Sequence, residues 1–215
     1  PEVTISELTP RKRRFFLKYL ARFLLLFESV KAKGSFLDSK RVIITAVPHQ
    51  SGKDEYLMIL MILALDIEVC YLSAKWTMRR IPIPFIKPKD IDNQGIPWPL
   101  GWLQEIVFRK FGAIPVDRKG NSGQYDSVVQ ELLKRDNFLL IITPEGRFDA
   151  TRFRSSFLYL AKELEAEVMP VQIDYEHDTL QFLNSLNLDG SEEEVIQRLR
   201  FCFDGVKGRK SRFKA

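Results

Sequence analysis

His49 and Asp54 stand five positions apart in AVPHQSGKDEYL, residues 46–57. An imidazole that titrates near neutrality, with a carboxylate to fix its tautomer, is a minimal device for taking a proton from a hydroxyl. Pro48 closes the β-branched run RVIITAV, Arg41 to Val47, which places His49 in a loop. Asp54 then falls in the first turn of the following helix, where the helix dipole favours a negative charge. A loop folded back on itself would bring the carboxylate to one ring nitrogen and leave the other as a general base. The plainer alternative is a polar loop histidine beside a helix-capping aspartate, and the pair by itself does not decide between them. The adjacent Gly52–Lys53 is not a nucleotide loop. That motif needs glycine where Val47 stands and Ser or Thr where Asp54 stands.

Two later loops have comparable content. Arg118 ends GAIPVDR, just past a short β-like run, and a guanidinium fork there suits a phosphate. An exposed Asp117–Arg118 pair is the bland reading. TPEGRF follows the run FLLIIT, with Glu145 as a second acid and Gly146 free to take an unusual backbone turn. Pro144–Glu145–Gly146 is equally ordinary turn chemistry. The other histidine, His177, sits among acids in DYEHD. Neighbouring acids rarely converge on one metal, so this segment reads as a solvated turn, and no metal site is expected.

These loops need a scaffold of strands whose ends face one way. RVIITAV, IEVCYLSA (67–74), FLLIIT (138–143) and VMPVQIDY (168–175) read as strands. Helical patterns cover residues 11–32, 53–65, 102–111, 126–136 and 154–167, and Ser191 with Glu194 forms a capping-box pattern before a last helix. The stretch from Ile81 to Trp102, rich in proline and aromatics, reads as largely loop. Strands alternating with helices predict an α/β fold, a mixed and largely parallel β-sheet flanked by helices.

With 45% hydrophobic residues and no repeat, 215 residues can bury a real core. Two cysteines argue against a disulfide scaffold and for a reducing, cytoplasmic setting. The net charge is +5, and basic groups stand at both ends: Arg11 to Arg14, and VKGRKSRFKA, which carries five cations and no acid. Such clusters suit an anionic membrane surface, nucleic acid or acidic substrates. No nucleic-acid recognition motif accompanies them, so nucleic acid is not an expected partner. A spanning helix needs about 20 mostly apolar residues, and the longest uncharged apolar run, Tyr56 to Leu65, is half that. No signal peptide is expected either. Phe16, Tyr19, Leu20, Phe23, Leu24 and Phe27 line one face of the first helix. Such a helix packs on the domain, lies in a membrane interface, or does both.

Taken together, H-x4-D at His49–Asp54, GAIPVDR, PEG at 144–146 and VMPV at 168–171 resemble, in order and spacing, the blocks of the 1-acylglycerol-3-phosphate acyltransferase family, from about Arg41 to Tyr175. The resemblance implies a glycerolipid acyltransferase-like fold over residues 34–205, between a basic amphipathic helix (1–33) and a basic tail (206–215). It implies transfer of a fatty acyl group from a thioester, acyl-CoA or acyl-carrier protein, to a hydroxyl of a lysophospholipid or glycerol-phosphate acceptor, without a bound cofactor. His49 would be the base and Asp54 its orienting acid. Arg118, Pro144, Glu145, Gly146 and Arg147 would shape the acceptor site, with Pro170 in a supporting strand. The enzyme would work peripherally at an anionic membrane.

The sequence departs from the family pattern in two of its blocks. Arg147 follows Gly146 directly where the family has Thr before its arginine, so that role falls to Arg147, to Arg152 or Arg154, or is lost. Pro48 replaces the usual Asn before the histidine, a variant that leaves the acceptor open. The segment from Ile81 to Trp102 is also longer than its counterpart, and is either part of an acyl pocket or membrane lip, or a packed surface loop. The competing function is a lipid- or acidic-ligand-binding protein that keeps the fold without catalysis.

Overall fold

A computed structural model describes residues 2–5, 15–47, 52–75, 78–81, 96–97, 99–116, 123–145 and 152–208. The chain divides into two compact units, Pro1–Val69 with Asp136–Ala215, and Cys70–Arg135. The first begins with β1 (Glu2–Thr4), α1 (Phe15–Leu25), β2 (Lys31–Ser35), β3 (Arg41–Val47) and α2 (Gly52–Ala64). The second holds β4 (Cys70–Ala74), β5 (Arg80–Ile81), β6 (Ile96–Pro97), α3 (Gly101–Lys110), β7 (Ala113–Val116) and α4 (Gly123–Leu133). The first then resumes with β8 (Phe138–Ile142), α5 (Ser156–Glu163), β9 (Glu167–Asp174), β10 (Thr179–Phe182) and α6 (Glu192–Phe201).

The fold is α/β, as the alternation of patterns predicts. In the first unit the strand order is β1-β2-β10-β9-β3-β8. β3 is parallel to both β8 and β9, and among the described residues of this unit only β9–β10 is antiparallel. β3 and β8 are the continuous apolar runs of the sequence because they are covered on both faces: Val42 to Val47 and all of Phe138 to Ile142 are buried. In the second unit β4 and β7 are parallel, and β5 and β6 form a short antiparallel pair. That pair and the start of α3 hold the described part of the proline-rich stretch; residues 82–95 and 98 lie outside the described residues.

The first helix is shorter than its periodicity predicts. It does not run to residue 32 but closes after Leu25 in tightened bonds, with the amides of Leu26, Phe27 and Glu28 donating three residues back. The chain then enters β2, where the Lys31 amide donates to the Asp178 carbonyl at 2.8 Å and the strand pairs with β10. Gly34 takes φ +104° there, and a side chain at this position would collide with the Phe182 carbonyl. Elsewhere α4 lies three residues earlier than expected, and the strand in IEVCYLSA begins only at Cys70. The helix expected over 154–167 spans 156–163. The capping box at Ser191 is formed as predicted.

α1 packs on α2 with only its narrow side. Ala21 is buried, Arg22 Nε donates to the Ala64 carbonyl at 3.1 Å, and Lys18 pairs with Asp66 at 3.4 Å. The rest of the predicted apolar face looks outward. Phe16 is 75% exposed and Phe27 74%, with Tyr19, Leu20 and Phe23 also exposed, and only Leu24 half-buried. Phe15 meets Tyr19 at a tilt and Phe23 meets Phe27 edge to face, so these exposed rings pack against one another. Residues 11–14, the basic cluster at the helix start, lie outside the described residues.

Candidate active site

Parallel strands present their carboxyl ends to one edge of a sheet, and that edge is where sites form in α/β folds. In the first unit Thr45 of β3 pairs with Ile142 of β8 and with Pro170 of β9. The register therefore brings three chain segments to the same edge: the one after Val47, the one after Ile142 and the one after Asp174.

After β3 the chain enters α2 at Gly52, and Asp54 is the third residue of that helix. Its carboxylate is only 2% exposed. Burying a carboxylate is costly unless donors surround it. One donor is Tyr175, the first residue past β9, whose phenol donates to Asp54 Oδ1 at 2.6 Å. A hydrogen bond this short restrains both groups. Position in the first turn of α2 adds the favourable end of the helix dipole. Lys53, the lysine of the discounted nucleotide-loop letters, pairs with Glu28 at 2.7 Å. It ties the start of α2 to the segment after α1.

After β8, Pro144 is buried and Glu145 half-buried in a turn. The Pro144 carbonyl accepts from the Arg154 amide at 2.8 Å, which closes the loop between them. Arg152 and Arg154 are both exposed. Pro170 is buried in β9, beside Thr45. His49, Arg118, Gly146 and Arg147 lie outside the described residues. Of the predicted site residues, the structure thus places Asp54 and the Pro144–Glu145 turn on one sheet edge of the first unit. Arg118 belongs to the second unit, two residues past β7.

The DYEHD segment ends β9 and turns the chain, with Glu176 exposed and Asp174 and Asp178 half-buried. Tyr175 is buried and His177 exposed. His177 Nδ1 lies 2.7 Å from Asp174 Oδ2, and this bond with the neighbouring charge raises the imidazole pKa. Burial works to raise the Asp174 pKa, but the His177 bond and the amides of Glu176 and His177 outweigh it and hold the carboxyl low. The Asp174 carboxylate thus serves the Glu176 and His177 amides and the imidazole locally.

Sequence reasoning missed Tyr175 as a site residue. The signal was present: Val171, Ile173 and Tyr175 alternate inward along β9 and its extension, with the half-buried Gln172 and Asp174 between them. A polar tip at the buried end of such a row needs a partner.

Residues 99–174 match the Acyltransferase family model. The match covers about a third of the chain. It includes Arg118, Pro144, Glu145, Gly146, Arg147 and Pro170, and stops one residue before Tyr175; His49 and Asp54 precede it. Acyl transfer is thus the chemistry this stretch supports. No curated protein sequence matches the chain.

Proposed function

We propose that the protein is an O-acyltransferase that moves a fatty acyl group from an acyl-CoA or acyl-carrier-protein thioester to a hydroxyl of a lysophospholipid or glycerol-phosphate-like acceptor. The observation that carries this reading is Asp54, a buried carboxylate oriented by a hydrogen bond at the carboxyl edge of the sheet, five residues after a histidine. His49 takes the acceptor's hydroxyl proton while the oxygen attacks the thioester carbonyl carbon. The tetrahedral adduct collapses, the carbon–sulfur bond breaks, and the thiolate recovers the proton from His49. Asp54 keeps the imidazole in the required tautomer and offsets the charge it gains. No acyl-enzyme is formed.

Arg118 binds the acceptor phosphate, and the Pro144–Glu145–Gly146–Arg147 turn shapes the acceptor side. The test is an acyl-thioester assay with a panel of phosphorylated and unphosphorylated acceptors, following thiol and ester together. Arg118→Ala should raise KM for the phosphorylated acceptor about tenfold or more, the worth of a charge-assisted hydrogen bond. KM for the thioester should stay within about twofold, because this guanidinium binds the acceptor alone. Equal changes in both constants would remove the assignment.

The enzyme works while attached peripherally to an anionic bilayer. Two exposed apolar surfaces support this: the aromatic face of α1 in the first unit, and Trp102, Leu103, Ile106 and Val107 of α3 in the second. Residues 70–135 hold eleven Lys/Arg against six Asp/Glu, a surplus equal to the chain's whole net charge. Each cation near an anionic surface adds about 1 kcal/mol. Among the described residues no helix is long and apolar enough to cross a membrane. Phe23→Glu with Phe27→Glu should cut co-sedimentation with phosphatidylserine-containing vesicles several-fold without changing thermal stability, since neither ring is buried. Undiminished binding would exclude α1 as the contact.

A further inference from the structure

We propose that Tyr175 is a positioning residue for acyl transfer, acting through Asp54; the proposal rests on the roles assigned above to His49 and Asp54. Tyr175 is fixed at both of its ends. Its amide donates to the Lys207 carbonyl at 2.9 Å, which anchors the main chain just past β9. Its ring is 4% exposed, and its hydroxyl meets Asp54 Oδ1 at 2.6 Å across 121 residues of sequence. Packing alone would be served by phenylalanine. The hydroxyl adds a directional constraint on the acid.

An aspartate carboxylate turns easily about its last bond, because that torsion is broad and two-fold. A carboxylate that orients an imidazole has to present one oxygen to the ring nitrogen in a fixed plane. With Oδ1 held by the Tyr175 phenol, that plane is set. The acid is thereby steered from β9, a strand next to β3 in the sheet, and not only by its own helix. The arrangement is that of an orienting group behind the acid of a base–acid pair, one layer further from the substrate.

The experiment compares wild type with Tyr175→Phe, Asp54→Asn, the double variant, and His49→Ala, in the full chain, using an acyl-CoA and a lysophospholipid that the wild type acylates. Tyr175→Phe should lower kcat about tenfold, the worth of one hydrogen bond to a charged group. Both KM values should stay within about twofold, since the phenol touches neither substrate. In the Asp54→Asn background the same change should alter kcat less than about twofold, because a residue acting only through Asp54 has nothing left to orient. Full kcat in Tyr175→Phe, with His49→Ala and Asp54→Asn both impaired, overturns the role of Tyr175 alone. So does an equal loss in both backgrounds. Full activity in His49→Ala overturns the site itself and this proposal with it. Should the phenylalanine variant not fold, a fluorinated tyrosine at position 175 keeps the shape and strengthens the donor. It should then change kcat but not KM, and an unchanged kcat overturns the proposal.

Discussion

His49→Ala is expected to lower kcat for acyl transfer by roughly 10²–10⁴-fold, the range that a general base contributes. The loss should appear in thiol release and ester formation alike, because one proton transfer starts both. KM values should move little, since an imidazole that only collects a proton contributes no substrate affinity of its own. Thermal stability should be close to wild type, so that the loss reads as catalytic and not as unfolding. A variant with intact kcat would require a different base. His177 is exposed and engaged by Asp174.

Asp54→Asn should produce the second-largest loss, on the order of 10²-fold in kcat or more, through the wrong imidazole tautomer rather than through misfolding. The asparagine carbonyl can still accept from the Tyr175 hydroxyl, so the buried bond at 2.6 Å has a substitute. The amide would then offer its N–H₂ group toward the base, where the mechanism needs an acceptor. Asp54→Ala is the structural control. It leaves the phenol of a 4% exposed tyrosine without this acceptor, which should cost about 1–3 kcal/mol, and it loses a further ~0.3–1 kcal/mol of dipole interaction at the start of α2. Urea denaturation of the two variants therefore separates the effects. Asparagine should unfold near the wild-type midpoint while inactive, and alanine should be both inactive and less stable. An active asparagine variant would remove Asp54 from the mechanism.

The central strands were legible because burial on both faces leaves one kind of residue to choose from, as in RVIITAV and FLLII. The capping box at Ser191 was legible because its partners lie three residues apart. β2 was not. KAKGS carries two lysines and a glycine, and it is a strand because its backbone joins β1 and β10, with residues near 180 supplying one partner. The end of α1 was missed for the same reason, since the amide of Lys31 is claimed by Asp178 and not by the helix. On the site, Asp54 could be singled out from its distance to His49 and its place in a first helical turn. Tyr175 could not be joined to it, because no local spacing connects residues 121 positions apart. That link exists only once β3 and β9 lie side by side.

The exposed rings of α1 show a further limit of pattern reading. Periodicity identified one apolar face correctly, yet a periodic face does not say whether protein or lipid covers it. Here the buried seam is Ala21 with the Lys18 and Arg22 contacts, and the aromatic residues point away from it.

Acyl transfer is best tested by quantifying thiol and ester in one reaction of purified protein, a long-chain acyl-CoA and a lysophospholipid or glycerol-phosphate acceptor. One ester should form for each thiol released, dependent on acceptor, with both products falling together to the uncatalysed rate in His49→Ala. Thiol release that ignores the acceptor, or ester formed equally well by His49→Ala, would contradict it.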